Sequence, residues 1–375
     1  MPIPRIQRRT CLLAGAAAVA APALAQPGRP AGRPVVVAQL HDGSASQQDV
    51  ARDFLVGARA AWQDINARGG LRGRPVQHLT IEVDGTAAGL RQAWTGLRDN
   101  ANCVALSGTV SDPLATLLAT HLRQDNAAIT HVAPWLQNSS VEIDERTFPI
   151  FAGRQEQIAH ALKSMSAMGV QEVGAVFATA READLYRADV QRTAQGLKLK
   201  LAAFTGQGDL AALGQRLGPA TPALLLFLGG TPELVQLTRG LERQARQRYV
   251  IALADVNLQN VLQMGAGKAT PVIATQAVPM VSAPSPIVRR YRDVLARLFD
   301  EPPVALSLAG FIAARYTFEV LNDIDGPLTR AAALAAFQRR RDMDLGGYRI
   351  AFDEHGRSST FVTQSMLTPD GRVVG

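Results

Sequence analysis

The sequence predicts an α/β protein of two doubly wound lobes. Three observations carry this: strand-length apolar runs recur along the chain, most are separated by roughly ten to twenty residues of helical periodicity, and there are too many strands for one sheet. Parallel strands need such crossovers, and strands apolar throughout are covered by helices on both faces. A chain of 375 residues has room for two lobes, each with a core of its own.

"PVVVAQL", Pro34 to Leu40, is the first predicted strand. The helix after it places Val50, Phe54, Ala58, Ala61 and Ile65 on one face and stops at "NARGG", where glycines supply the left-handed cap. Further strands are expected at "HLTIEV", "CVAL", "AAITHVA", "EVGAVFA", "KLAAF", "ALLLFLG", "YVIALA" and "PVIATQAV". The polar, proline-containing "NSSVEIDERTFPI" interrupts this alternation, so a first lobe is expected over 34–147 and a second over 148–275. Past Gln276, three helices (Pro286 to Phe299, Val304 to Asn322, Leu328 to Arg340) return to the first lobe over 276–345. Two short strands around "GYRIAF" and "STFVTQSML", a hairpin-like pair, cross again to complete the second lobe over 346–375. The chain thus crosses between lobes three times.

The N-terminus reads as an export signal over 1–25. Arg5, Arg8 and Arg9 precede an Ala/Leu stretch that ends in a small-x-small cleavage site at Ala23, Leu24 and Ala25, and the linker "QPGRPAGR" follows over 26–33. The paired arginines fit a twin-arginine signal and a basic general-secretion signal alike, and both routes stay open. Cleavage would leave 36 basic and 32 acidic side chains, since the segment holds three arginines and no acid. That balance is no nucleic-acid footprint. Cys103 would be the one cysteine remaining, a buried inert thiol opening a strand.

Catalytic and cofactor signatures are missing. "MGAGKAT" places Leu262 where a phosphate-binding loop requires glycine, and "TGQGDL" lacks the third glycine of a dinucleotide fingerprint. His41, His78, His121, His131, His160 and His355 include no i, i+4 pair suited to a metal. What remains is "CVALSGTVSDPLAT", where a buried strand empties into small polar residues at a helix start. In an open α/β sheet that is where ligands bind. Gly108 lets the backbone approach closely, while Thr109, Ser111 and Asp112 offer hydroxyl and carboxylate groups. Asp112 before Pro113 is also the standard start of a helix, so capping and ligand contact are both open for it.

"DFLVGARAAWQDINARGGLRGRPV" resembles the first-helix segment of the type I periplasmic binding proteins, in the branched-chain amino-acid-binding family of ABC-transporter substrate-binding proteins. The resemblance continues through "ALSGTVSDP", "SPIVRRYRDVLA", "SLAGFIAARYTFEVL" and "DLGGYRIAF…GRSSTFVTQSML", essentially the whole chain after the signal. It implies two α/β lobes joined by a three-crossing hinge, closing on a small solute, with no cofactor, metal or chemical step. Partners would be that solute and an inner-membrane ABC permease, for a monomer in the periplasm. A ligand-sensing module for a membrane receptor or kinase would share the fold.

Carried over by position, the resemblance puts ligand contacts at Asp112 with Ser111 beside it, Ala133, Trp135, Glu182, Thr231 and Asp255. Where amino-acid-binding relatives offer a small hydroxyl residue to the ligand carboxylate, this chain has Asp112, and where they place an aromatic it has Glu182. A carboxylate facing a carboxylate in a closed cleft adds repulsion to desolvation. The expected ligand therefore carries amine, amide or hydroxyl donors for Asp112, Asp255 and Glu182, with Trp135 on an apolar part. The alternative is that the acids point away and small residues alone line the cleft.

Overall fold

The alternation of strands and helices is realised as two sheets in a computed structural model, which describes residues 33–375 apart from 268, 359, 360 and 369. The export-signal reading, 1–25, lies outside the described residues, as does the linker up to residue 32.

The first sheet is built from β1 (Val35–Asp42), β2 (Val76–Val83), β3 (Cys103–Ser107), β4 (Thr130–Val132) and β5 (Thr147–Phe148), all parallel, in the order β2-β1-β3-β4-β5. Between them run α1 (Gln48–Ala67), α2 (Ala87–Arg98) and α3 (Asp112–Gln124). The second half follows with α4 (Arg154–Ala167), β6 (Glu172–Phe177), α5 (Ala180–Gly196), β7 (Lys200–Thr205), α6 (Leu210–Arg216), β8 (Leu224–Leu228), α7 (Thr231–Leu241), β9 (Tyr249–Ala252), α8 (Leu258–Gln263) and β10 (Val272–Gln276). The chain then passes through α9 (Pro286–Leu298), α10 (Ala305–Asn322), α11 (Arg330–Gln338), β11 (Met343–Asp344), β12 (Arg349–Ile350), β13 (Thr363–Leu367) and β14 (Val373–Val374). The second sheet has the order β14-β13-β10-β9-β8-β6-β7. It is parallel from β10 to β7 and antiparallel where β13 and β14 are added at its edge.

Apolar residues pack on both faces of each sheet, as strands apolar throughout require. In the first, Val36, Ala38, Leu40 and Leu106 meet Leu90, Trp94, Leu114 and Leu118 from α2 and α3. Val35, Val37 and Ala105 face the other way, toward α1, α9, α10 and α11. The second sheet buries Leu225, Phe227 and Val250 against α6, α7 and α8, and Val173, Ala175 and Leu226 against α4 and α5.

Two glycines set the seam between α1 and α10. A Cβ on Gly57 would stand 1.6 Å from the Ser307 carbonyl oxygen, and one on Gly310 would stand 1.9 Å from that of Phe54. The helix backbones touch there, with no room for a side chain.

The expected hairpin of the two last short strands is not formed. β12 pairs with β11, whereas β13 lies antiparallel on β10 and pairs with β14. The second sheet leaves the β10 edge open, and β13 fills it while burying Ser365 and Leu367. The residues between β12 and β13 are spent on crossing between the sheets, where Ser358 N donates to the Pro149 carbonyl at 3.1 Å.

Three connections link the halves, over residues 149–153, 277–285 and 345–362. One buried hydroxyl reaches all three: Tyr348, in the last, donates to the Ile150 carbonyl at 2.6 Å and lies 3.4 Å from the Ala277 carbonyl. Tyr348→Phe is expected to cost about 1 kcal/mol, because a buried carbonyl loses its donor. Urea denaturation checks this, and an unchanged midpoint would mean that the contact contributes nothing.

Candidate functional site

The loops at the carboxyl ends of the strands of both sheets enclose a cavity of about 320 Å³. The first half contributes Asp42, Asp49, Asp84 and Asp112, and the second Arg154, Tyr186, Glu233 and Asp255. The cavity thus sits where ligands bind in open α/β sheets, within the size range of small-molecule pockets.

The loop between β3 and α3 is shaped as the sequence requires. Gly108 has φ +67°, and a Cβ there would lie 2.9 Å from the Phe54 ring. The loop ends on Ser111, the N-cap residue of α3, whose hydroxyl is turned away to donate to Asp42 Oδ2 at 2.8 Å. Asp112, the first helical residue, does not cap its own helix. Its Oδ1 accepts the backbone N–H groups of Gln137 at 2.7 Å and Asn138 at 2.8 Å, and its Oδ2 lies 3.4 Å from the Tyr186 hydroxyl across the cleft.

Asp255 sits opposite, also buried. It accepts Trp135 Nε1 at 2.8 Å and is ion-paired with Arg154. The Arg154 guanidinium lies over the Tyr186 ring, 4.8 Å from its centroid. The floor of the cleft is therefore one network of Asp112, Tyr186, Arg154, Asp255 and Trp135, with members from both halves. Burial pushes the Asp112 carboxyl above its ordinary value, against the pull of Arg154. Burial works against the Arg154 charge as well, but Asp255, Tyr186 and Asp112 outweigh it and hold the guanidinium more firmly protonated. The Tyr186 hydroxyl is raised, chiefly by burial.

The predicted contacts divide. Asp112, Glu182, Thr231 and Asp255 line the cavity together, although the carboxylates of Asp112, Asp255 and Glu182 are each also engaged by groups of the protein. Ser111, Ala133 and Trp135 are not among its lining residues. Ala133 is fully buried at φ +47°, its N–H donating to Phe148. Trp135 is wedged between the Phe54 and Phe151 rings, 5.9 and 5.3 Å away, with its Nε1 turned to Asp255. Thr231 uses its hydroxyl inwardly, accepting Asn257 N at 3.0 Å. Glu182 is held at the start of α5 by the Thr179 hydroxyl, which donates to its carboxylate.

Arg154 and Tyr186 were not read from the sequence. A cation at the first residue of a helix is disfavoured by the helix dipole, so "GRQE" did hold a signal: an arginine so placed needs a local anion, and Asp255 is that anion. Tyr186 lies one helical turn beyond Glu182.

A second contact joins the halves beside the cavity. Asn257 caps α8 with its carbonyl oxygen and donates from Nδ2 to Asp53 Oδ2 on α1 at 2.5 Å. Burial pushes the Asp53 carboxyl from 3.8 up to about 6, although the Asn257 hydrogen bond pulls it down. The folded state thus holds this proton more tightly than the unfolded chain does, so its stabilising effect is full below about pH 4 and lost as pH rises through about 6. Asp53→Asn is expected to raise stability at pH 7.5 by up to about 3 kcal/mol, with a much smaller gain at pH 4. Urea midpoints at the two pH values check this; an equal change at both would separate Asp53 from the effect.

Two α/β lobes with their strand ends facing across a cavity define the type I fold of binding proteins that enclose a solute. The family model described as "Periplasmic binding protein" matches residues 34–366. The chain belongs to that family, one of solute-binding proteins. Among solved structures, an extracellular ligand-binding receptor from Verminephrobacter eiseniae is similar at 18% identity over 91% of this chain and 100% of its own, with a TM-score of 0.83. A substrate-binding periplasmic protein from Ralstonia solanacearum reaches 19% identity over 91% and 99% with a TM-score of 0.82. A branched-chain amino acid ABC transporter structure from Thermus thermophilus, with bound valine, matches at 11% identity over 91% and 95% with a TM-score of 0.78. No curated protein matches the sequence. The resemblance to Leu/Ile/Val-binding-type proteins thus stands at the level of family and fold.

Proposed function

We propose that this protein captures a small polar organic solute, amino-acid-like or related, in the cleft and delivers it to an inner-membrane ABC permease. The observation that carries the reading is the cavity walled from both sheets, with charged side chains gathered on its floor. The lobes are assigned as 34–147 with 276–345 and 148–275 with 346–375. The three connections act as the hinge, and the contacts of Asp53 with Asn257 and of Asp112 with Tyr186 belong to the closed form. Export uses the N-terminal signal, removed near Ala25, and the protein works as a monomer in the periplasm, without a cofactor or covalent step.

A thermal-shift screen of the chain from Gln26 onward tests this reading, against amino acids, amines, polyols and carboxylates. A solute at a hundredfold its Kd adds about 2.7 kcal/mol of stability. The reading expects at least one small polar solute to shift the transition and to contract the protein in small-angle scattering, as closure requires. A screen without any shift would count against solute capture.

A further inference from the structure

The sign of the charge around the cavity is opposite to that of the chain. Overall the protein is basic, with 39 Lys and Arg against 32 Asp and Glu. The lining inverts this: Asp42, Asp49, Asp84, Asp112, Glu182, Glu233 and Asp255 face only Arg154 and Arg181. Arg154 is ion-paired with Asp255, and Asp112, held by the Gln137 and Asn138 N–H groups, adds a further acid to the floor.

The helix ends sharpen the argument. A helix N-terminus ordinarily attracts an anionic ligand group through its free N–H groups and dipole. Here α1, α3, α5 and α7 each carry an acid in the first turn, Asp49, Asp112, Glu182 and Glu233, and all four line the cavity. An acid of the protein thus already stands in the first turn of each of these helices, where its charge opposes an anionic ligand group. Glu233 Oε2 is moreover buried without a hydrogen-bond partner among the described residues, an acceptor at the wall of the site.

Resting on the solute-binding reading above, we propose that the solute carries net positive charge, as an amine or guanidinium compound. In a cleft lined by seven acids against two arginines, like charges brought together repel, and a cation relieves that repulsion on binding. An uncharged molecule of the same shape leaves it in place, and an anion adds to it. Arg181, which lies in the part of the lining beside Glu182, does not reverse the balance.

The test is isothermal titration with pairs matched in shape: lysine against norleucine, putrescine against 1,4-butanediol, and glutamate as the anionic control, in low salt and in 0.5 M NaCl. The expected result is a preference of about tenfold or more for the cation of a pair, reduced by salt. Lysine and putrescine separate an amino-acid cation from a simple diamine. The double variant Asp49→Asn, Asp84→Asn, which leaves the Arg154 network untouched, is expected to weaken cation binding several-fold with little change in the unfolding midpoint.

Norleucine or butanediol binding as tightly as its charged partner would overturn the charge assignment while leaving solute capture standing. Tight binding of glutamate would do the same. No binding by any compound of the panel, charged or neutral, would count against both readings.

Discussion

Gly310→Ala and Gly57→Ala are each expected to lower stability by about 3 kcal/mol or more. On an exposed helix the same change gains roughly 1 kcal/mol through helix propensity, so the sign depends on the space available. At both positions the new methyl group would meet a carbonyl oxygen of the opposite helix at less than 2 Å. That atom belongs to backbone and cannot swing aside, so α1 and α10 would have to separate along a seam that buries Phe54, Ala58, Phe311 and Ala314. Gly96→Ala in α2, where nothing lies within 4 Å, supplies the control and is expected to stabilise slightly. Urea unfolding of the three variants decides the matter. A Gly310→Ala protein as stable as the control would mean that the helices do not touch as described.

Arg154→Met is expected to cost about 3–5 kcal/mol, because removing one partner of a buried ion pair leaves the other charge without compensation. Two carboxylates would be stranded here: Asp255, in direct contact, and Asp112, whose ionised form Arg154 favours. The effect should be relieved when Asp255 is also made neutral. In the double variant Arg154→Met, Asp255→Asn, the amide oxygen can still accept from Trp135 Nε1, so the loss is expected to be clearly smaller than for Arg154→Met alone. Denaturation midpoints of the single and double variants give the coupling directly. A single substitution costing under 1 kcal/mol would place the pair in solvent and dissolve the proposed floor of the cleft.

The sequence made most of the framework legible because the strands are short, apolar and separated by helical periodicity. Burial on both faces removes polar alternation, and that made β1, β3, β8 and β9 conspicuous. The partner of β13 was not legible. Pairing across the open β10 edge depends on two segments roughly ninety residues apart, and no local pattern in "STFVTQSML" names its neighbour.

At the site, the loop Gly108 to Asp112 could be found from its strand and helix start, and Asp255 and Thr231 from their place after later strands. The direction of a side chain could not. Asp112 looks like a helix cap in sequence, but Gln137 and Asn138 offer it two buried N–H groups from a loop some twenty-five residues away. Trp135, expected to meet the ligand, is drawn back between two phenylalanine rings. Arg154 opens α4 just past the polar crossing, and nothing local in "GRQE" names its partner Asp255, about a hundred residues away. Only the meeting of the two halves shows that it is enclosed.

The contact between Gly57 and Gly310 also bears on the order in which the chain can mature during synthesis. α1 ends at Ala67 and α10 begins at Ala305, so the apolar face of α1 must wait for roughly 240 residues of further translation before its cover exists. β10 waits likewise for β13, made some ninety residues later. Neither half can seal its core from the residues made first, and each stays accessible to chaperones until late in translation. The chain is therefore expected to become resistant to proteolysis only after α10 and β13 have been made.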